Sequence, residues 1–557
     1  MNSTQLIEAL AAAAKYTPDR GIGIYDRRGQ NVERRSYREI AEMARNRAER
    51  FAGAGVKPGD RIMLGLSTSW DLLELLFGAL TIGAYPVMVS PPGALGSAGT
   101  YGAKIIGQCE LLTPRLLVVD ASSRDLLRGN AELERHGARP VTAAELAATT
   151  PGSLKVHAPT PADIAFLQLT SGSTGKQRAV QVTHASAIHN AHAMADFVGE
   201  LEPSNSVVSW LPLNHDMGLV GCLLFSLVNG LDCWLLRPET FLARPSTWLK
   251  TISTRRGSLT PAPNFAFQLC VDRIEPAELA GCDLSSIRSA VSGAEMIRPE
   301  TCAAFVEKFG PFGFRAEQWQ SSYGMAECTL AATCDRVRSG IRTEKLPERA
   351  DSIDGSIALG SDIVCTGRAV MDTTVKISST VKPGEFLPDF GIGEIWVKGP
   401  SVFSGYYNNP QATADALVNG WLRTGDLGFM KNGELYITGR LKDLLIIHGE
   451  NWMPHELEWE AEGVIGSSGA ERSGAFSVDV PNEGERPVIV AECAAGDTRP
   501  IAELEHAIRS RIGRTLGLPL ADVVLVRRGQ IPKTTSGKVQ RSELRRRYID
   551  GKLDRLR

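Results

Sequence analysis

The chain has 557 residues, more than one hydrophobic core usually organises, so two or more domains are expected. Its formal net charge at pH 7 is −2, which argues against a protein that binds nucleic acid or acidic surfaces. The ten cysteines are scattered and include no Cys-x-x-Cys pair, and we therefore predict reduced thiols in a cytoplasmic protein.

The first twenty residues predict a short helix and not a signal peptide, because they begin without a basic stretch and Glu8 interrupts the apolar run. The most apolar windows are residues 72–89 and 221–236. Each window contains a charged residue and is interrupted by glycine or proline. Each therefore predicts a buried helix followed by a strand, and no membrane span is expected.

Helix and strand patterns alternate along the chain to about residue 335. Ser36 followed by Glu39 is a capping box, which predicts that a helix begins there. Pro58-Gly59 predicts a turn into the strand-like run 61–66. The alternation predicts a large α/β region with mostly parallel sheets flanked by helices.

The pattern changes after Cys334. Residues 336–364 are polar and have little periodicity, which is typical either of a disordered loop or of an inserted module. Strand-like segments follow, and a second α/β pattern begins after Arg440, with residues 441–449 predicted as a strand and 501–513 as a helix. We therefore predict an N-terminal region of residues 1–440 that includes a β-rich subdomain, and a small α/β domain of residues 441–557.

Residues 167–180, "LQLTSGSTGKQRAV", concentrate glycines and hydroxyl side chains in one loop. Such a loop favours either a phosphate cradle, in which backbone N–H groups close on oxyanions, or a structural turn. The loop is not a Walker A motif, because Thr170 stands where the first glycine belongs and Gln177 follows Lys176.

Five further stretches carry polar or charged residues among glycines and apolar residues. They are 209–221 with His215, 321–330 with Tyr323 and Glu327, 420–429 with Asp426, 439–451, and 531–541 with Lys538. Each stretch alone is weak evidence for a site, and a buried histidine that serves only the core is the simplest interpretation of a lone His215.

Taken in this order, the six stretches resemble the adenylate-forming superfamily of acyl-CoA synthetases, nonribosomal peptide adenylation domains and luciferases. The resemblance covers about residues 20–550. It implies a large N-terminal domain and a small, mobile C-terminal domain, with ATP (and AMP) and Mg²⁺ as cofactors.

The resemblance also implies a role for individual residues. The loop that closes on the β- and γ-phosphates corresponds to Thr170, Ser171, Gly172, Ser173, Thr174, Gly175 and Lys176. The nucleotide site corresponds to Ser292, Gly293, Ala294 and Glu295, to Tyr323 (stacked on adenine), Gly324, Met325 and Ala326, to Asp426 (on the ribose hydroxyls) and to Arg440. Glu327 corresponds to the magnesium ligand, Lys442 to the hinge, and Lys538 to the lysine that bridges the substrate carboxylate and the α-phosphate.

Two departures from the family pattern are visible. Gln177-Arg178-Ala179 replaces the usual Pro-Lys-Gly, and Ala326 stands where many members have a phosphate-binding threonine. The chemistry nevertheless agrees with the remaining residues. A carboxylate that attacks phosphorus brings two anions together, and a cation with Mg²⁺ at the meeting point offsets their repulsion.

Within the superfamily, the stretches 210–221, 261–269 and 323–330 look like those of fatty acyl-AMP ligases, and 336–364 falls where that group carries its insertion. The resemblance implies activation of a fatty acid to acyl-AMP and transfer to the phosphopantetheine arm of an acyl carrier protein. In that group His215 would lie near the acyl carboxylate, and a core role is equally compatible with the sequence.

Three alternatives are weighed against this interpretation. An acyl-CoA synthetase has the same nucleotide site and differs only in the acceptor. An enzyme for amino acids usually has an acid near the segment Ser258–Gln268, which contains none. A non-catalytic module would be expected to lose Lys538, Glu327 or Asp426.

The basic C-terminal stretch 541–557 is compatible with docking of an acidic carrier protein and equally with a solvated helix. Chain length of the acyl group and the downstream pathway stay open.

Overall fold

The computed structural model describes residues 3–91, 98–154, 159–170, 177–345, 349–352, 355–358, 362–447, 450–466, 473–480, 484–493, 498–533 and 538–556. The helices in these ranges are α1 Leu6–Tyr16, α2 Tyr37–Gly53, α3 Trp70–Ile82, α4 Ala98–Leu112, α5 Ala121–Leu127, α6 Ala131–Arg135, α7 Ala143–Ala147, α8 His184–Val198, α9 Asp216–Gly218, α10 Phe225–Asn229, α11 Pro238–Ala243, α12 Ser246–Arg255, α13 Asn264–Arg273, α14 Pro299–Phe309, α15 Pro410–Ala416, α16 Pro454–Ile465, α17 Ile501–Thr515 and α18 Arg541–Ile549.

The strands up to residue 334 are β1 Gly21–Tyr25, β2 Val32–Ser36, β3 Arg61–Gly65, β4 Tyr85–Met88, β5 Leu116–Val119, β6 Pro140–Val141, β7 Ile164–Thr170, β8 Arg178–Thr183, β9 Ser206–Ser209, β10 Asp232–Leu235, β11 Leu259–Ala262, β12 Ser289–Ser292, β13 Trp319–Gly324 and β14 Ala331–Cys334. The later strands are β15 Thr343–Glu344, β16 Arg349–Ser352, β17 Gly355–Ala358, β18 Ile363–Val364, β19 Arg368–Ala369, β20 Thr374–Ser378, β21 Gly393–Lys398, β22 Leu417–Val418, β23 Trp421–Lys431, β24 Glu434–Arg440, β25 Leu445–Ile447, β26 Glu450–Trp452, β27 Ser473–Val480, β28 Gly484–Glu492 and β29 Asp522–Val526.

Two large sheets organise the N-terminal part of the chain. The nine-stranded sheet has the order β19-β14-β13-β12-β11-β9-β10-β1-β2 and the six-stranded sheet the order β6-β5-β3-β4-β7-β8. Six strands of the larger sheet, from β13 to β1, are parallel, and antiparallel pairs occur only towards its two edges. The α/β class with mostly parallel sheets is therefore confirmed.

The ends of two helices form as the neighbouring residues in the sequence predict. Ser36 accepts a hydrogen bond from the Glu39 N–H and donates its own N–H to the Glu39 carboxylate, so the capping box forms at the start of α2. Helix α3 ends at Gly83, whose φ of 77° is left-handed and suits a residue without Cβ. The window 221–236 forms part of a π-helical turn, α10 and β10, and all its residues except the half-buried Gly221 and Asn229 are buried.

The polar stretch 336–364 contains ordered strands where it is described. β16 and β17 form an antiparallel hairpin, and β15 pairs with β18. Strand β17 then pairs in parallel with β26, where Ile357 lies opposite Asn451 and Ala358 opposite Trp452. The hairpin therefore extends β25–β26 into a four-stranded sheet, which links the stretch to the C-terminal part of the chain.

The β-rich subdomain is a five-stranded antiparallel sheet of β20–β24. The prediction of one strand over 441–449 is wrong in part, because residues Leu441–Asp443 form a 3₁₀ turn before β25. Here Asp443 and the charged residues around it interrupt the apolar run that β25 needs.

The C-terminal part of the chain has apolar cores of its own. Two clusters of buried side chains, centred on α16–α17 and on β27–β29, contain only residues from 445 onward. The exact division at residue 440 stays a prediction. None of the helices in the described ranges has both the length and the hydrophobicity that crossing a bilayer requires.

Candidate active site

A cavity of about 850 Å³ opens at the carboxyl ends of the central parallel strands and reaches the C-terminal part of the chain. The turns that follow β12 and β13 line it, as do the end of β24 and residues 538–543. Ligands of open α/β sheets bind at this edge, because the connecting loops converge there. The cavity is thus bounded by segments from both ends of the sequence.

Tyr323, Asp426 and Arg440 form a contact group at one side of the cavity. The Tyr323 hydroxyl donates to Asp426 Oδ2 over 2.8 Å, and Arg440 Nε lies 2.8 Å from Asp426 Oδ1. Asp426 and Arg440 are directly opposite each other on β23 and β24, so the sheet register brings the charges together. The negative charge of Asp426 raises the pKa of Arg440.

Glu327 projects into the cavity from a sharp turn between β13 and β14. A Cβ at Gly324 would lie 1.8 Å from the Leu330 carbonyl oxygen, so the close approach of the two strands requires glycine there. The buried Glu327 carboxylate accepts a 2.8 Å hydrogen bond from the Tyr406 hydroxyl. Burial raises the pKa of the Glu327 carboxyl, against the opposing effect of the Tyr406 hydrogen bond.

A magnesium ion fits the chemistry of Glu327. Among the described residues, no group of three or more His, Cys, Asp or Glu side chains is arranged to hold a metal by itself. Mg²⁺ commonly uses one or two protein carboxylates and takes its other ligands from substrate phosphates and water. A single buried carboxylate at the wall of a large cavity agrees with that mode.

His215 and Asp216 lie together at the cavity wall. Nδ1 of His215 lies 2.7 Å from Asp216 Oδ1, and the N–H of Met217 donates to the same carboxylate oxygen over 2.7 Å. Burial raises the pKa of Asp216, but the charge of His215 and these hydrogen bonds outweigh it and lower the pKa overall. The pair therefore places a carboxylate and an imidazole beside the cavity.

Lys538 and Lys442 reach the same cavity from the C-terminal part of the chain. Lys538 interacts electrostatically with Arg440, Asp426, Asp216 and Glu295. Removal from water, and then the positive charge of Arg440, lower the pKa of the Lys538 amine. Lys442 lies in the 3₁₀ turn that connects β24 to β25.

The predicted phosphate loop is described only at its two ends. Thr170 ends β7 at the cavity, and Ser171, Gly172, Ser173, Thr174, Gly175 and Lys176 lie outside the described residues. Arg178, which replaces the family's usual lysine, begins β8 and places its guanidinium carbon 5.0 Å from the centre of the Tyr406 ring. The substituted cation therefore contacts the residue that holds Glu327.

Most, but not all, of the residues predicted for the adenine site line the cavity. Gly293, Ala294 and Glu295 line the cavity, as do Gly324, Met325 and Ala326, whereas the Ser292 side chain is fully buried away from it. Glu295 Oε1 accepts the Phe265 N–H over 2.5 Å. Of the two predicted groups, only Ser292 does not reach the cavity wall.

The sequence pattern of the family described as "AMP-binding enzyme" matches residues 10–407. This chain belongs to the AMP-binding enzyme family. The resemblance found in the sequence is thereby confirmed.

Two relatives cover nearly the whole of this AMP-binding enzyme. A Caulobacter vibrioides protein named "Putative acyl-CoA synthetase" is 34% identical over 98% of this chain and 95% of that protein. A Moorena producens protein named medium-chain-fatty-acid–[acyl-carrier-protein] ligase JamA is 31% identical over 99% of this chain and 96% of that protein. A solved structure from work on fatty acyl-adenylate ligases of E. coli and L. pneumophila superposes with a TM-score of 0.90, at 31% identity, over 99% of this chain and 98% of that one. The adenylate-forming fold is confirmed.

The sequence gives no signal for a buried ion pair that joins the two parts of this AMP-binding enzyme. Arg298, in the turn before α14, lies 2.6 Å from the Glu462 carboxylate in α16, and the side-chain exposures are 11% and 1%. The second oxygen of Glu462 accepts from the Ser473 hydroxyl, and the Arg298 guanidinium lies 4.7 Å from the centre of the Trp459 ring. Residues 164 apart carry no spacing pattern, so only the fold reveals this contact.

Replacing Glu327 with glutamine is expected to stabilise the ligand-free enzyme at neutral and higher pH. Burial raises the carboxyl pKa in the folded state, so the folded chain binds this proton more tightly than the unfolded chain, and stability is lost as pH rises. The neutral amide removes this loss and can still accept from Tyr406.

Thermal unfolding between about pH 4 and pH 9 measures the effect. The difference in unfolding midpoint between Glu327→Gln and the wild type should grow as pH rises above 4.5, the ordinary pKa of glutamate. Glu317→Gln, at an exposed site, is the control and should leave the midpoint unchanged. A midpoint for Glu327→Gln at or below that of the wild type at pH 8 would contradict the prediction.

Replacing Glu462 with glutamine is expected to loosen the contact between the C-terminal part and the rest of the enzyme. A buried guanidinium that loses its counter-charge is destabilised by about 3–5 kcal/mol, so the joined arrangement becomes less populated. Acyl-adenylate formation, measured as pyrophosphate release, should fall in proportion to that population, by up to roughly 10²–10⁴-fold, because each 1.4 kcal/mol corresponds to about a factor of ten.

Glu460→Gln is the matched control, since Glu460 lies on the same helix and pairs with Arg511 within the C-terminal part. This variant should keep the wild-type rate. Equal rates for Glu462→Gln and Glu460→Gln would show that the Arg298 contact does not hold the arrangement.

Proposed function

We propose that this AMP-binding enzyme is a fatty acyl-AMP ligase. It joins a fatty acid to ATP with release of pyrophosphate, and then transfers the acyl group to the phosphopantetheine thiol of an acyl carrier protein. Residues 1–440 form the adenylation core in this proposal, and residues 441–557 form a domain that moves between the two steps.

The observation that carries the proposal is the meeting of Lys538 with the Tyr323–Asp426–Arg440 group at one cavity. A nucleotide site needs an acceptor for the ribose hydroxyls and an aromatic ring for the base, which Asp426 and Tyr323 supply. Adenylation needs in addition a cation where the carboxylate meets the α-phosphate, and the presence of Lys538 at the same cavity supports this role for it. One arm of the same cavity is lined mainly by apolar side chains, which supports a carboxylic acid with a long alkyl chain as the substrate.

In the first step, a carboxylate oxygen of the fatty acid attacks the α-phosphorus and the bond to the bridging oxygen of pyrophosphate breaks. Lys538 offsets the repulsion between the two anions, and a compact ammonium on a mobile domain can arrive and leave. Thr170 and the loop up to Lys176 hold the β- and γ-phosphates. When bound at Glu327, Mg²⁺ supplies charge neutralisation for the phosphates.

In the second step, the carrier thiol attacks the acyl carbonyl carbon, AMP leaves, and the thiol proton is released to solvent. Lys538 has no task in this step and its departure opens room for the phosphopantetheine arm. Rotation of residues 441–557 around Lys442 accomplishes this, since Lys442 lies in the short turn between β24 and β25. His215, beside Asp216, is positioned near the acyl carboxylate.

The preference for a carrier protein over free CoA is supported by the hairpin of β16 and β17. Its parallel pairing with β26 ties the stretch 336–364 to the domain that must rotate, which restrains the rotation. Free CoA as acceptor is the second candidate, because one relative is named as an acyl-CoA synthetase while another is named as an acyl-carrier-protein ligase.

Parallel assays test the proposal. A panel of fatty acids is offered with ATP and Mg²⁺, and with either free CoA or a phosphopantetheinylated carrier protein, and products are identified by mass spectrometry. Acyl-carrier product in excess of acyl-CoA is expected. Exclusive acyl-CoA would favour the second candidate, and absence of nucleotide affinity in isothermal titration would refute both.

Lys538→Ala is expected to lower acyl-AMP formation by about 10²–10³-fold or more, because an electrostatic stabiliser of the transition state is lost. Thioester formation from supplied acyl-AMP should fall far less, since Lys538 leaves before that step. Pyrophosphate release and thioester formation are measured separately. Lys552→Ala, an exposed lysine of the same segment, is the control, and near-normal pyrophosphate release by Lys538→Ala would refute its role.

Replacing residues 349–358 with a short Gly-Ser linker is expected to increase acyl transfer to free CoA. Arg349 and Ala358 are opposite each other at the base of the hairpin, about 5 Å apart, so a short linker closes the gap without strain elsewhere. Loss of the β17–β26 pairing releases the rotating domain. Unchanged acyl-CoA yield, in a variant that folds and still adenylates, would exclude a restraining role.

A further inference from the structure

An apolar arm of the cavity runs along the face of the nine-stranded sheet, away from the nucleotide group. On β12, Ser289 and Val291 line the arm while Ala290 and Ser292 point to the opposite face. On β13, Gln320 and Ser322 line it in the same alternation. The arm therefore follows the strands inward from their carboxyl ends.

Two helical segments cover the arm. Met194 and Val198 lie four residues apart on α8, and Gly221 and Phe225 four apart on the helical run that includes α10, so each pair presents one helix face. The remaining wall is almost entirely apolar, with Val207, Leu259, Val291, Leu330, Ala331 and Cys334. An alkyl chain matches such a wall.

The arm ends at a hydrogen-bonded floor formed by Ser289 and Gln320. The Ser289 hydroxyl donates to Gln320 Oε1, and Gln320 Nε2 donates to the Asp335 carbonyl and, over 3.4 Å, to the Phe197 carbonyl. Arg288 adds bonds to the carbonyls of Val198 and Glu200 at 3.4 and 2.8 Å. These bonds fasten the end of α8 to β12 and β13, so a longer chain cannot pass without breaking them.

The length of the arm follows from the strand geometry. Gly293, beside the nucleotide group, and Ser289, at the floor, are both at the cavity wall and four residues apart. At about 3.3 Å per residue, the arm is roughly 13 Å long. An extended alkyl chain advances roughly 1.3 Å per carbon for bonds of about 1.5 Å, so about ten carbons fill it.

We infer that this arm selects acids of about eight to twelve carbons that carry no polar group at the far end, and that Gln320 and Ser289 set the upper limit. The inference rests on the proposed function, because it takes the arm as the site of the acyl chain. The O–H of Ser289 and the N–H groups of Gln320 are engaged with Gln320 Oε1 and with backbone carbonyls, so a terminal hydroxyl or carboxylate on the substrate finds no free donor there and loses hydration.

The experiment measures kcat/KM for saturated acids from about six to eighteen carbons, by pyrophosphate release with hydroxylamine as the trap for acyl-AMP. Each methylene that enters the arm should raise kcat/KM about fourfold, up to about ten carbons, and longer acids should lose activity. ω-Hydroxydecanoate should be at least about tenfold poorer than decanoate.

Three variants test the floor. Gln320→Ala should move the optimum about two carbons longer, and Val207→Leu, which enlarges a wall residue level with Ser289, should move it one or two carbons shorter. Val208→Leu is the matched control, since Val208 is the next residue of β9, buried, and faces away from the arm. Its optimum should equal that of the wild type.

Folding of each variant is checked by its unfolding midpoint. Should Gln320→Ala not fold, Val207→Leu against Val208→Leu decides the question alone. A wild-type optimum at sixteen or eighteen carbons, or an unchanged optimum in Val207→Leu, would overturn the inference. Activation of no acid in the panel, with ATP still bound, would instead overturn the proposed function.

Discussion

The contact of Asp426 with Tyr323 and Arg440 connects the nine-stranded sheet to the five-stranded sheet at the cavity. Tyr323 ends a strand of the nine-stranded sheet, while Asp426 and Arg440 belong to the five-stranded sheet. A buried carboxylate requires such partners, because its separation from water is costly unless charge and hydrogen bonds compensate. Arg440 is the last residue of β24, so fixing Arg440 also fixes where the following turn with Lys442 lies and where the C-terminal part begins.

Two of the contacts that hold the C-terminal part are of different kinds. The Arg298–Glu462 pair is short, buried and specific in direction, while the β17–β26 pairing consists of backbone bonds that tolerate many side chains. The two contacts lie on different elements and therefore resist different displacements. In the proposed cycle this arrangement is left during each turnover, which requires contacts of limited strength, and two separable contacts can be broken in sequence.

Prediction from the sequence succeeds where the signal is local. The capping box at Ser36, the buried run 221–236 and the order of the polar loops each depend on neighbouring residues, and the structure agrees with all three. Glu327 was identified through the family resemblance of its stretch, and the structure places this residue at the cavity wall. Ser292, predicted as part of the adenine segment, has its side chain on the face of β12 that points away from the cavity, because side chains alternate along a strand.

What could not be predicted depends on contacts between distant segments. Tyr406, which holds Glu327, and Arg298, which meets Glu462, have no distinguishing spacing in the sequence. The strands within 336–364 were equally hidden, since they are short and pair only with one another and, through β17, with the distant strand β26. The end of the apolar arm depends on the Ser289 hydroxyl reaching the side chain of Gln320, which the register places opposite Val291, two residues further along β12.

Cys334 stands at the wall of the apolar arm, within an enzyme proposed to make a reactive mixed anhydride. A thiolate at that place would capture the acyl group and inactivate the protein by acylating itself. Burial raises the pKa of the Cys334 thiol to about 12, so the sulfur keeps its proton at neutral pH and is a poor nucleophile. The same apolar surroundings that receive a hydrocarbon chain thus protect the enzyme from its own product.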